Sequence, residues 1–219
     1  MKILFVASDE MEFRGVLRHC TRAGFLGDHE ILLTANGAGP SRAAAAVDSA
    51  LASFHPDAIV SMGFCGALDP TLAIADIVVG ATIFAGGRTF AAQSPAANRP
   101  HRTGAICSID RIANTASEKS RLHTTGAVAV EMEAAGVAQR AQALGLPFFC
   151  IKSVTDLAGE TMANDFNEVL RSDGRFDTIK ILASSLRHPW VRLPELFRLR
   201  SRSVLAARSL GEFIADCRF

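Results

Sequence analysis

Short, wholly apolar runs separated by helix-length segments limit this chain's fold more than any other feature of its sequence. Residues 2–7, through Ile3-Leu4-Phe5-Val6-Ala7, leave no alternating polar position to face water, so they read as a strand covered on both faces. Glu30 to Ala35, Asp57 to Met62, Ile77 to Ile83, Gly104 to Ser108 and Phe148 to Val154 read as further strands. A helix is expected after the first strand. The alanine-rich stretch Ser41 to Phe54 favours a helix capped by its serine, and Val128 to Leu144 has helical length and composition. Asn36-Gly37-Ala38-Gly39-Pro40 reads as a turn, and Gly86 to Thr103, with Gly86-Gly87 and two prolines, as a loop. Apolar strands alternating with helices predict an α/β fold of three layers, a mostly parallel mixed sheet between helices.

At 219 residues the chain can bury one core, with at most an appended helix. The boundary is expected near 186, with residues 187–219 forming the appendage. Arg187 to Arg208 holds six arginines against one acid, Glu195, while Leu196, Leu199, Ala206, Leu210 and Phe213 recur at helical spacing. That is a basic amphipathic helix. Its polar face is either a solvated surface or one suited to peripheral contact with an anionic membrane.

The formal charge of +1, with 49% hydrophobic and 21% charged residues, argues against disorder and against a general nucleic-acid-binding surface. Cys20, Cys65, Cys107, Cys150 and Cys217 are scattered singly, as in reduced cytosolic proteins, and the six histidines lack zinc-binding spacing. No metal or other cofactor is expected. The first apolar run is too short for a leader and meets Asp9, Glu10 and Glu12 at once, so a cytoplasmic protein without a membrane span is expected.

Four carboxylates in three separate segments stand out. In Ala129-Val130-Glu131-Met132-Glu133-Ala134-Ala135-Gly136, two acids flank a methionine where a strand gives way to a helix. Ligands of open α/β sheets gather at such strand ends, but helix N-termini also favour acids through their dipole. Asp156, in Thr155-Asp156-Leu157-Ala158-Gly159, is either a turn or cap residue or a general acid. Glu12 lies just past the first strand, so acids from distant segments can meet at one sheet edge.

The run Val128 to Asp156, with Val-Glu-Met-Glu-Ala-Ala-Gly-Val-Ala, Gly-Leu-Pro-Phe-Phe and Ser-Val-Thr-Asp, resembles the nucleoside phosphorylase and nucleosidase superfamily. Within it, the chain is most similar to methylthioadenosine/S-adenosylhomocysteine nucleosidases. Met1 to Glu12, Asn36 to Ala50, and Pro56 to Val79 with its turn Gly63-Phe64-Cys65-Gly66-Ala67-Leu68 agree in order, so the resemblance covers roughly residues 1–170. It implies a nucleoside phosphorylase-like catalytic domain over residues 1–186 that cleaves the N-glycosidic bond of a purine nucleoside.

By that resemblance, Glu133 holds the ribose 2′- and 3′-hydroxyls and Met132 packs on the sugar. Glu131, Thr155, Gly63, Phe64 and Ile112 are expected at the substrate, while Asp156 assists departure of the base at N7 and Glu12 orients water. Phe64 stands where members of the family often carry serine or threonine, and Ser61 where many phosphorylases have a phosphate-binding arginine; both favour water over phosphate. Ile112 stands near the place where the nucleosidases carry an aromatic residue that stacks on the purine, and an isoleucine has no π-face. The pattern from His188-Pro189 through Leu193-Pro194-Glu195-Leu196 and the arginine-rich helix is similar to hopanoid-associated members, which handle a nucleoside bearing a lipid at the 5′ position. The resemblance further implies a homodimer. Hydrolysis of a 5′-modified adenosine is the leading expectation, with phosphorolysis and non-catalytic nucleoside binding as alternatives.

Overall fold

A computed structural model describes residues 1–171, 173–186 and 189–219. The strands are β1 (Lys2–Ala7), β2 (Ala23–Leu26), β3 (His29–Ala35), β4 (Ala58–Ala67), β5 (Ile77–Ala85), β6 (Arg88–Ala91), β7 (Arg102–Ser108), β8 (Ala127–Glu131) and β9 (Phe148–Asp156). The helices are α1 (Pro40–Leu51), α2 (Ala116–His123), α3 (Ala134–Leu144), the single turn α4 (Phe166–Val169), α5 (Thr178–Ser185) and α6 (Pro189–Asp216).

The central sheet is mixed, as expected of the sequence. It runs β2-β3-β1-β4-β8-β7-β5-β6, and β9 pairs with both β4 and β5. Five of its pairings are parallel and four antiparallel, so parallel pairing predominates only narrowly. Because β9 bridges β4 and β5, the strands β4, β8, β7, β5 and β9 close into a ring.

Both faces are covered. Leu4 and Val6 of β1 join Ala46 and Val47 of α1 and Val137 and Ala141 of α3 in one core, while Ile3 and Phe5 join Leu210, Phe213 and Ile214 of α6 in the other. Successive strand side chains point to opposite faces, so a strand buried on both has no place for a polar residue. The α6 helix docks closely: a β-carbon on Gly211 would lie 2.1 Å from the carbonyl carbon of Gly15. Arg187 and His188, where the expected arginine-rich segment opens, lie outside the described residues.

Several local expectations need correction. The helix expected after β1 is instead two 3-10 turns, Glu10–Arg14 and Val16–Arg18, the first closed by a capping box between Asp9 and Glu12. Ser41 does not cap α1; Gly39 does, and Pro40 supplies the first helical position, where its missing N–H costs nothing. Val128 to Leu144 is not one helix, because its first residues pair in parallel with β7 as β8 and only Ala134 onward is helical. Tertiary pairing overrides the helical propensity of that apolar stretch. The expected loop at Gly86 to Thr103 contains β6, which turns back on β5 through Gly86-Gly87, and the start of β7. Gly63 to Ala67 is no turn either, but the end of β4, irregular between Cys65 and Gly66.

Candidate active site

One cavity of about 410 Å³ opens at the ends of β4, β8 and β9 and is lined by Glu12, Glu131, Glu133 and Asp156. Met132, Phe64, Thr155 and Ile112 also line it, so eight of the nine singled-out residues meet there. Gly63 stands behind the lining. Its φ is +140°, and a β-carbon there would lie 2.5 Å from Glu12 Oε1, so only glycine leaves room for that carboxylate.

Glu12 is buried on its 3-10 turn and held at both oxygens, with Oε1 taking one donor only. Its Oε2 accepts from the Ser8 N–H (2.8 Å), the Ser8 hydroxyl (3.0 Å) and the Asp9 N–H (3.1 Å), and Oε1 accepts from the Phe64 N–H (2.8 Å). Burial nevertheless raises its pKa, with Lys152 and the N–H donors pulling the other way.

Glu131 ends β8 and turns its Oε2 to the N–H groups of Glu133 and Ala134, each at 2.9 Å, at the start of α3. Lys152 reaches the same oxygen at 2.8 Å. Burial opposes ionisation of Glu131, but these contacts outweigh it and lower the pKa. Glu133 accepts from the Gly39 N–H at 3.1 Å and lies 3.8 Å from Lys152. Burial, with Glu131 and Glu12 nearby, pushes its carboxyl up to about 8 despite Lys152.

Lys152 is fully buried and also meets the Met62 carbonyl at 3.4 Å; burial depresses its pKa, yet the surrounding carboxylates raise it above the ordinary lysine value. It was missed in the sequence, although a lysine inside Phe-Phe-Cys-Ile-Lys-Ser-Val, an otherwise buried strand, is a signal that an acid waits nearby.

At the opposite wall, Oδ1 of Asp156 takes a hydrogen bond from Lys119 Nζ, which also donates to the Leu157 carbonyl at 2.8 Å. The Thr155 hydroxyl lies 3.2 Å from Oδ2. Burial raises the pKa of Asp156, and Lys119 and Thr155 restrain the rise. Nothing in the polar stretch Ala116 to His123 marks Lys119 out.

The wall is closed by chain segments after β9. The carboxamide of Asn167 bridges the backbone N–H (2.8 Å) and carbonyl (3.0 Å) of Ile112. Glu160 forms a forked pair with Arg202 of α6 (2.7 and 2.9 Å). Glu195, the lone acid of the arginine-rich stretch, is buried and accepts from the N–H groups of Ala163 and Asn164, both at 2.8 Å. Leu199, Arg200 and Ser203 of α6 line the cavity itself. Ser61 does not; its hydroxyl is wholly buried in β4 without a hydrogen-bond partner.

Among the described residues, no group of three or more His, Cys, Asp or Glu side chains could hold a metal ion. No helix there is long and apolar enough to cross a membrane.

Comparison with known proteins identifies the family and the fold. The model of the phosphorylase superfamily matches residues 5–96 and 85–177. A 5′-methylthioadenosine/S-adenosylhomocysteine nucleosidase of Staphylococcus saprophyticus is 30% identical over 164 residues, 62% of this chain and 72% of the relative. In fold, the chain is similar to a futalosine hydrolase mutant of Helicobacter pylori, with TM-score 0.72, 15% identity and coverage of 99% of this chain and 97% of that one. The Streptococcus pneumoniae MTA/SAH nucleosidase bound to 8-aminoadenine gives 0.71 at 19% identity, covering 99% and 98%.

Proposed function

The chain belongs to the phosphorylase superfamily, and within it we propose that it hydrolyses the N-glycosidic bond of a 5′-modified adenosine. The observation that carries this reading is the gathering of Glu12, Glu133 and Asp156, from three distant segments, around one cavity. The names of its relatives, methylthioadenosine/S-adenosylhomocysteine nucleosidases, support it.

In this reading Glu133 accepts hydrogen bonds from the ribose 2′- and 3′-hydroxyls and Met132 packs on the sugar. Glu12 holds a water and takes its proton as the oxygen attacks C1′; the C1′–N9 bond breaks, and Asp156 delivers a proton to N7 of the departing base. Positive charge grows on the ribose as the bond breaks, so the buried anions stabilise the transition state more than the ground state. Glu131, Phe64, Thr155 and Ile112 complete the walls. The products are a free purine and a ribose bearing the 5′ substituent. The Phe64 phenyl ring, which lines the cavity and has no donor, supports water rather than phosphate as the nucleophile.

The test is a panel of 5′-substituted adenosines and inosines, including one with a lipid chain, with and without phosphate. Adenine and a reducing sugar released without phosphate are expected. Ribose 1-phosphate formed only with phosphate makes the protein a phosphorylase, and binding without release of base makes it a nucleoside-binding protein.

The outward side of α6 is the surface proposed for peripheral membrane contact. Trp190 (92% exposed), Phe197 (71%) and Val204 (45%) repeat every seven residues there, with the exposed Arg198 beside them and Arg200 at the cavity rim. Self-pairing of this face would bring arginines together, whereas anionic headgroups complement it. Sedimentation with phosphatidylglycerol vesicles but not phosphatidylcholine vesicles is expected, and loss of it in the Trp190→Ala/Phe197→Ala variant. Equal behaviour toward both lipids overturns the assignment. A homodimer formed through another face is checked by sedimentation velocity.

A further inference from the structure

We propose that Lys119 is a positioning residue for Asp156, which holds the carboxyl toward the departing base and sets the pH at which it can donate its proton. This rests on the nucleosidase reading and deepens it.

Lys119 is the only buried residue of α2. An ammonium group deprived of water is unfavourable unless paired, so its inward course needs an explanation that the rest of this polar helix does not give. Its donors are directed to Asp156 Oδ1 and the Leu157 carbonyl (2.8 Å), which fix the residue at the end of β9 and the backbone immediately after it. The Thr155 hydroxyl lies 3.2 Å from the other oxygen and 3.3 Å from the Cys65 carbonyl, between which its single proton is shared, so Lys119 is the side chain that fixes the carboxyl.

The charges facing Asp156 from every side define what Lys119 contributes. Glu160, in the segment after β9, opposes ionisation of Asp156, and Arg202 of α6, held in its forked pair with Glu160, acts on Asp156 only at longer range. The Cys65 thiol of β4, also nearby, is held neutral, its pKa pushed well up by burial. Lys119 is therefore the cation in direct contact with Asp156. A buried carboxyl is a weak acid, because proton loss leaves an anion without solvent. An ammonium already in place stabilises that anion, so the proton transfers to N7 without reorganisation of the surroundings.

The experiment is the pH profile of kcat/KM for base release by the full chain, comparing wild type, Lys119→Met and Lys119→Arg. Removing the charge makes Asp156 a weaker acid, so the alkaline limb in Lys119→Met is expected to move up by a pH unit or more while the plateau falls. Arginine keeps the limb near its original place. A uniform loss of rate with an unmoved limb assigns Lys119 a structural role only and overturns the proposal. Should Lys119→Met not fold, the wild type decides: the ¹³C carboxyl signal of Asp156, assigned by its absence in Asp156→Asn, has to titrate at the pKa of the alkaline limb. A mismatch rejects the inference. Wild type that releases no base from any nucleoside sinks the nucleosidase reading instead, and that result is seen before any variant is made.

Discussion

Two buried lysines serve the carboxylates of this cavity, and they are shared differently. Lys152 lies at the ion-pairing centre of a crowd: Glu131 at 2.8 Å, Glu133 at 3.8 Å and, more distantly, Glu12. Among the described residues, Lys119 pairs with the carboxylate of Asp156 alone. One cation cannot neutralise three buried anions, and burial together with this crowding pushes the Glu133 carboxyl up to about 8. A dedicated cation instead fixes the direction and acidity of a single group. The difference matches the proposed division of labour, in which the crowded wall holds sugar and water and the paired wall handles the proton of the leaving base.

The strongest way to break the paired wall is Asp156→Asn, expected to lower kcat by roughly 10²–10⁴-fold, the usual worth of a general acid. Ligand affinity, read by calorimetry with a non-hydrolysable analogue, is expected to stay within a few-fold. Equal loss of both would make Asp156 a structural residue. Lys152→Met breaks the crowded wall, leaving buried acids without their cation. The chain is expected to lose about 3–5 kcal/mol of stability, read as a lower urea midpoint, and adding Glu131→Gln to that variant should recover part of the loss.

Sharpening the contrast requires pH. The ribose hydroxyls donate to the anion of Glu133, so binding is expected to tighten as pH rises toward about 8 and to level off above it. Each unit below that value weakens binding by up to about tenfold, and Glu133→Gln flattens the profile. A flat wild-type profile would show that the free site binds without shedding that proton. The smallest effect belongs to the exposed edge of the paired wall. Arg202→Ala is expected to cost about 1 kcal/mol, since the Glu160–Arg202 pair is partly solvated. Arg202 holds the Glu160 carboxyl down to about 2, so this contribution is present above the ordinary carboxylate range and vanishes as pH falls through about 2. Urea midpoints of the two proteins that stay apart at the lowest pH would contradict this account.

The architecture was legible in sequence wherever a strand was apolar on both faces, because that pattern admits few alternatives: β1, β3, β4, β5, β7 and β9 all lie where the apolar runs stand. Helix and strand were confused at Val128, where residues of either preference suit a buried run and the partner strand decides. The acids of the cavity were visible as strand-end carboxylates, yet their cations were not. Lys152 left a trace by interrupting an apolar run, whereas Lys119 sits in a stretch with the composition of an ordinary solvated helix. Which of several polar side chains turns inward depends on a counter-charge thirty-seven residues away in sequence, and spacing along one helix carries no record of that.

The closed ring of strands has a further consequence for how the site can move. Because β9 is hydrogen bonded to β4 on one side and to β5 on the other, its amides are expected to exchange with deuterium only when the whole molecule opens. Adjustment to ligands of different length then falls to cavity-lining residues outside the ring, such as Met162, Phe166 and Phe176. The chemistry thus rests on an unyielding floor, and tolerance for the size of the guest is left to the roof.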